Sequence, residues 1–188
     1  MRDALLDLWQ TILLAGLRGR ELALDFLFPA QCAGCRRVGA LLCERCVGQI
    51  AYTPAGARRQ DAPAGAPLAH IYSMAYSTGV LRRAIHRLKY GGQAQLAEPL
   101  GDLLGAWCVK QRLRADLLIP VPLHPRRQRQ RGFNQAALLA QRVARLAGIP
   151  CAEGLLERAR DTRPQVGLSA AQRRDNVAGA FRCDAPLV

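Results

Sequence analysis

Four cysteines in the pattern Cys-x2-Cys-x7-Cys-x2-Cys, at Cys32, Cys35, Cys43 and Cys46, constrain this chain more than any other feature. Each Cys-x2-Cys pair turns tightly enough to aim two thiolates at one ion, and two pairs complete a tetrahedron of sulfur around zinc. Gly34 lies inside the first pair, where a tight turn helps. Four thiolates leave no open position, so a structural rather than a catalytic Zn2+ is expected. An iron–sulfur centre and two redox dithiols are the other readings of the same cysteines. The ribbon-like spacing is ordinary for zinc, and a thioredoxin-like site needs one pair beside a βαβ pattern. Arg36, Arg37 and Arg45 either offset the charge of the thiolates or are simply solvated. Cys108, Cys151 and Cys183 are scattered, and clustered pairs plus lone thiols suit a reducing, cytoplasmic setting better than a disulfide framework.

The rest of the chain divides by composition. Residues 1–28 place Leu5, Trp9, Ile12 and Leu13 on one stripe, which predicts an amphipathic helical segment. Asp3 and Asp7 and the missing Ala-x-Ala site argue against an export signal, and the apolar run is too short to cross a membrane. Binding at a membrane surface is the minor alternative. The zinc-ribbon module is assigned to residues 29–52 and a linker, rich in Ala, Gly and Pro, to 53–68. The remainder, 69–188, reads as an α/β domain. Its expected elements are a strand at 70–76 and a helix capped by Ser77 or Thr78 that carries Val80, Leu81, Ala84, Ile85 and Leu88 as far as Gly91-Gly92. A helix over 94–109 follows, with Leu96, Leu100, Leu103, Leu104 and Trp107 inward, and then a buried parallel strand at 116–121. After an arginine loop at 125–132, a helix over 133–147 is expected to bury Phe133, Ala136, Leu139, Ala140, Val143 and Leu146. Ser169 and Gln172 make a capping box, and a strand-like start falls at Ala180-Phe181.

The charge is lopsided. There are 27 basic against 14 acidic residues, a formal net charge of +13, which suits phosphate-bearing partners. Lys89 and Lys110 are the only lysines, so arginine carries nearly all of the positive charge. Arg126, Arg127, Arg129 and Arg131 crowd into one short stretch after the 116–121 run, the edge at which an open parallel sheet binds its ligands. Guanidinium forks match phosphate oxygens, and Gly132 permits close approach before a helix N-terminus. A solvated basic loop is the plain alternative. His124 is a base, a phosphate donor or a packed loop residue, and Lys89 joins Arg82, Arg83 and His86 in a basic wall.

These residues together carry a resemblance. Phe28-Pro29 before the cysteine cluster is the first piece, and Leu81…Leu88-Lys89-Tyr90-Gly91 is the second. The third is Pro120-Val121-Pro122-Leu123-His124…Arg131-Gly132-Phe133-Asn134-Gln135, and the fourth is Arg158…Thr162…Gln165…Ser169…Arg173…Asn176-Val177…Ala180-Phe181. In this order they resemble the ComF family (competence protein F, GntX-like). The resemblance implies a four-cysteine zinc ribbon joined to a type I phosphoribosyltransferase-like domain, in a family of which some members are associated with DNA uptake. It makes Lys89, His124, Arg126, Arg127, Arg129, Arg131 and Asn134 candidate contacts to phosphate, pyrophosphate or nucleic acid. The family's Asp-Asp strand and Thr-Thr-Gly-like loop, which bind phosphoribosyl pyrophosphate, would fall shortly after residue 188. Thr78-Gly79 and Asp116 do not replace them, so the chain is expected to be C-terminally truncated and inactive as it stands, with Mg2+ required only by a complete form.

Three functions compete: phosphoribosyl transfer from phosphoribosyl pyrophosphate, single-stranded DNA binding as an accessory of the DNA-uptake machinery, and a zinc-stabilised interaction scaffold. Against the second, aromatics make up 5% of the chain, which leaves few stacking surfaces. The acids near the arginines in the sequence reading are Glu98, Asp102 and Asp116, none of them paired at a strand end.

Overall fold

The computed structural model describes residues 29–54 and 70–183. The expected N-terminal helix and most of the expected linker lie outside them. Within them, the elements are α1 (Glu44–Val47), α2 (Gly79–Tyr90), α3 (Ala97–Lys110), α4 (Pro125–Arg131), α5 (Gln135–Ala147), β1 (Leu156–Arg158), α6 (Ala170–Val177) and β2 (Phe181–Cys183). A single 3-10 turn at Ala94–Leu96 leads into α3. The result is a mixed helical structure with one small antiparallel sheet, in which Leu156 pairs with Cys183 and Arg158 with Phe181.

α2 forms where the apolar spacing puts it. Val80, Leu81, Ala84 and Leu88 are buried on one side while Arg82, Arg83 and His86 stay in solvent. Thr78 takes the N-cap position in extended conformation without a side-chain cap, and Gly91 ends the helix by donating to the carbonyl of Arg87 at 2.8 Å. Leu88 is 1% exposed, a burial that stabilises the fold by about 2 kcal/mol. The buried face of α2 packs on the cysteine module itself. Cys32, Leu42, Cys46 and Ile50 share one core with Val80, Leu81, Ala84, Leu88, Leu96 and Leu100.

The closest helix pair is α3 against α5. Gly101 and Gly105, one turn apart on α3, let the backbones approach. A Cβ on Gly101 would stand 2.6 Å from Arg142 Cβ, and one on Gly105 would stand 2.8 Å from Leu146 Cδ1. Arg142 then reaches back to Asp102 with two hydrogen bonds of 2.8 Å and to Glu98 at 3.2 Å. Two of the acids that the sequence placed near the arginine stretch are thus committed to this helix interface.

Four expectations are corrected. The buried strand at 116–121 is an extended segment with one parallel bridge, Leu118 to Cys151, and Leu117, Ile119 and Val121 are exposed. The bridge has only two hydrogen bonds, Leu118 N–H to the Pro150 carbonyl and Ala152 N–H to that of Leu118, so no ladder covers the remaining residues. The 70–76 segment is likewise a bridged extended stretch, with Ala75 opposite Tyr52, rather than a regular strand. The arginine stretch is a helix, α4. Pro125 presets its first turn, and Gly132 at φ 85° closes it where a side chain would be strained. α5 begins two residues later than expected, at Gln135, and Leu146 near its end remains half exposed.

Candidate phosphate-binding site and metal centre

The four cysteine sulfurs lie within 4.8 Å of one another, close enough to hold a metal ion such as zinc. Cys35 Sγ and Cys43 Sγ are 3.7 Å apart, close to the roughly 3.8 Å edge of a tetrahedron with Zn–S bonds of about 2.3 Å. The Cys43 N–H points at Cys32 Sγ at 3.4 Å, a contact that favours thiolate. Burial pushes the Cys32 thiol up. The N–H groups of Cys43, Cys35 and Gly34, with the Cys43 thiol, outweigh this and bring it to about 6. Burial and the neighbouring thiols push Cys46 up to about 12. The donor set therefore fits a cation, which would relieve the mutual repulsion of the sulfurs and expel the proton from Cys46. No disulfide joins any cysteine among the described residues.

The arginine stretch forms a second centre. His124 caps α4, its Nδ1 accepting from the Arg126 N–H at 3.3 Å. Asp161 sits opposite, 3.9 Å from His124 Nδ1, 3.6 Å from Arg126 and 3.7 Å from Arg127. A ring nitrogen that accepts from the Arg126 N–H does not also donate to Asp161, so the cap and the carboxylate meet at one atom of the imidazole. Arg127 also donates to the carbonyl of Thr162, whose hydroxyl accepts from Arg158. Burial and the charge of Arg127 lower the pKa of Arg158, with Asp161 acting the other way, and its buried Nε finds no partner among the described residues. Together Arg126, Arg127, Gln130, Asp161, Thr162 and Arg163 line a cavity of about 310 Å³. Among the described residues, three guanidinium groups against one carboxylate leave it net positive.

The loop that supplies Asp161 and Arg163 is held by α6. Asn176 accepts from the Arg163 N–H at 3.2 Å and donates to its carbonyl at 2.9 Å. Arg160 donates to the carbonyls of Asn176 and Ala178, at 3.1 and 2.7 Å, where the C-terminus of α6 favours a cation. The capping box of Ser169 and Gln172 forms as expected.

The candidate residues separate. Arg126 and Arg127 face the cavity. Arg131 bonds to Gln135 and lies over the Tyr90 ring at 5.3 Å, while Arg129 is exposed on the outer side of α4. Asn134 is the N-cap of α5, accepting from the Ala136 N–H at 3.0 Å and donating to the Val121 carbonyl at 3.2 Å. Lys89, one residue before Tyr90, is half-buried and does not line the cavity. The sequence reading missed Asp161 and Arg163. Their signal was the Arg158…Thr162…Asn176 pattern, whose members build this loop.

These features define a protein of helices and one small sheet that carries a four-cysteine cluster able to hold a metal ion, and a basic cavity. DNA utilization protein YhgH of Salmonella typhimurium is 32% identical over 163 residues, covering 83% of this chain and 70% of that protein. The protein of the same name from Escherichia coli K12 is 31% identical over the same shares. Competence protein F of Haemophilus influenzae is 38% identical over 102 residues, covering 52% of this chain and 44% of that one. The chain belongs to the ComF family. No family model and no solved structure matches it. Among the described residues, no helix is long and apolar enough to cross a membrane.

Proposed function

We propose that this chain acts in the handling of DNA as a phosphate-recognising protein, and that a phosphorylated small molecule of the phosphoribosyl pyrophosphate class binds between α4 and the 161–163 loop. The observation that carries this reading is the cavity of about 310 Å³ lined by Arg126, Arg127 and Arg163 around a single carboxylate, Asp161. Guanidinium groups would take the phosphate oxygens, and Asp161 would accept from a sugar hydroxyl. The names of the relatives supply the setting in DNA utilization or competence, and so point to DNA or the uptake machinery as the partner. The parallel bridge between Leu118 and Cys151, with α4 and α5 between its two sides, supports a phosphoribosyltransferase-like arrangement of residues 69–188. The four cysteines would hold a structural Zn2+ in a ribbon spanning 29–52. The setting we infer is cytoplasmic.

Calorimetric titration with pyrophosphate and with phosphoribosyl pyrophosphate tests the reading. The wild-type chain should bind with 1:1 stoichiometry, and Arg126→Gln/Arg163→Gln should weaken binding by about tenfold or more, the loss of two charge-assisted contacts. Unchanged affinity in the double variant would place the ligand elsewhere.

A further inference from the structure

A second basic surface lies apart from this cavity, between the cysteine module and α2. Arg36, Arg82, Arg83, His86 and Arg87 line a groove of about 520 Å³ with Gly79 at one end. Residues 82, 83, 86 and 87 fall on one side of the helix because positions four apart stack. Every ion pair of an arginine with a carboxylate among the described residues involves other arginines, namely Arg126, Arg127 and Arg142. Among the described residues the groove therefore gathers four guanidinium groups and no carboxylate, an arrangement that repels itself until an anion enters.

Two details make this more than a solvated helix face. Arg36 has φ 63°, a left-handed conformation that glycine adopts without strain and arginine does not. The Arg36 N–H closes the cysteine turn on the Cys32 carbonyl at 2.9 Å, so the turn needs that backbone shape but not that side chain. An arginine where glycine would be less strained keeps a guanidinium at the groove. The stripe also runs into aromatic rings. Tyr90, 67% exposed, follows one turn after His86, with the ring centroids 4.9 Å apart, and the Arg131 guanidinium over the same ring at 5.3 Å adds a further cation there. From Arg82 to Tyr90 the stripe is about 12 Å long, more than one phosphate needs.

We infer that this groove binds the phosphodiester backbone of a single-stranded nucleic acid, with a base stacked at Tyr90 and His86. Cations in line with exposed rings are what a flexible strand requires, since its bases are free to stack. A duplex hides those base faces and offers the groove only phosphates. The site goes beyond the small-molecule reading above and does not depend on it.

Fluorescence anisotropy with a labelled oligothymidylate of about 12 nucleotides tests the inference. Log affinity should fall linearly with log salt concentration. Arg82→Gln/Arg83→Gln should weaken binding roughly tenfold and flatten the slope by about 1.4, two contacts at 0.7 each. Pyrophosphate binding at the α4 cavity should not change in this variant. Arg36→Gly should also weaken oligonucleotide binding while holding or raising the thermal midpoint, which separates loss of a contact from loss of the fold. Full affinity and slope in both variants would overturn the inference. A blunt duplex that binds as tightly as the single strand would overturn the single-strand assignment.

Discussion

Gly34 lies directly against Val80: a Cβ on the glycine would stand 3.1 Å from Val80 Cγ1 and 2.6 Å from Cys46 Sγ. The cysteine turn is thus seated on the first turn of α2, and metal binding, core packing and the position of Arg36 are one problem. Gly34→Ala should cost about 1–3 kcal/mol of stability, the usual range for overpacking. It should also lower metal content in proportion, since Cys46 must move. Metal analysis of the wild-type chain should give one zinc per chain, and Cys43→Ser should release it. A zinc-free wild-type chain with its four cysteines in disulfides would refute this part of the account.

The grip of Arg142 on Asp102 should appear in acid. Hydrogen bonds from Arg142 hold the Asp102 carboxyl below the usual carboxylate range, against the opposing effect of burial. A depressed folded pKa gives stability that is complete above the unfolded value of about 3.9 and is lost as pH falls through the folded value. The Asp102 side chain is 42% exposed, so solvent screening limits the effect to about 1 kcal/mol. Denaturant midpoints measured from pH 6 to pH 2 should show a shallower acid limb in Asp102→Asn than in the wild type.

Helix propensity and packing give opposite signs at Gly105. Alanine is the better helix residue by about 1 kcal/mol. Here its Cβ would meet Leu146 Cδ1 at 2.8 Å and Val143 Cα at 3.4 Å, and the second is backbone that cannot turn aside. Gly105→Ala should therefore lower the thermal midpoint. Gly48, whose Cβ would be no closer than 3.6 Å to its nearest atoms, is the control that should tolerate alanine.

Binding and turnover should come apart. Departure of pyrophosphate from a ribose needs the developing charge met by groups already in place. Among the described residues one carboxylate, Asp161, lines the α4 cavity, and it is already engaged by Arg126 and Arg127. Phosphorus NMR of phosphoribosyl pyrophosphate with Mg2+ and this 188-residue chain should show no enzyme-dependent hydrolysis or transfer. Metal-dependent release of pyrophosphate would contradict this.

Much of the frame was legible in the sequence because it is encoded locally. The cysteine spacing gave the sulfur cluster, apolar periodicity gave α2, and Ser169 with Gln172 gave the start of α6. α4 reads as a loop in the sequence because none of its residues is buried, so no apolar stripe marks it. Its only signals are Pro125 at the front and Gly132 behind. The 116–121 run failed for the opposite reason, since its composition suits a buried strand but pairing is decided by distant residues. The site was half legible for the same cause. The arginines are neighbours in sequence, whereas Asp161 reaches them from more than 30 residues away, on a loop whose shape Arg160 and Asn176 determine.

The claim that the α4 cavity recognises phosphate is tested most directly at the guanidinium groups themselves. Arginine Nε–H resonances, assigned by single Arg→Lys substitutions, can be followed as pyrophosphate is added to the metal-loaded chain. The account predicts saturable shifts at Arg126, Arg127 and Arg163, with the resonance of Arg142 unmoved. Shifts confined to other arginines, or none at saturating pyrophosphate, would contradict it.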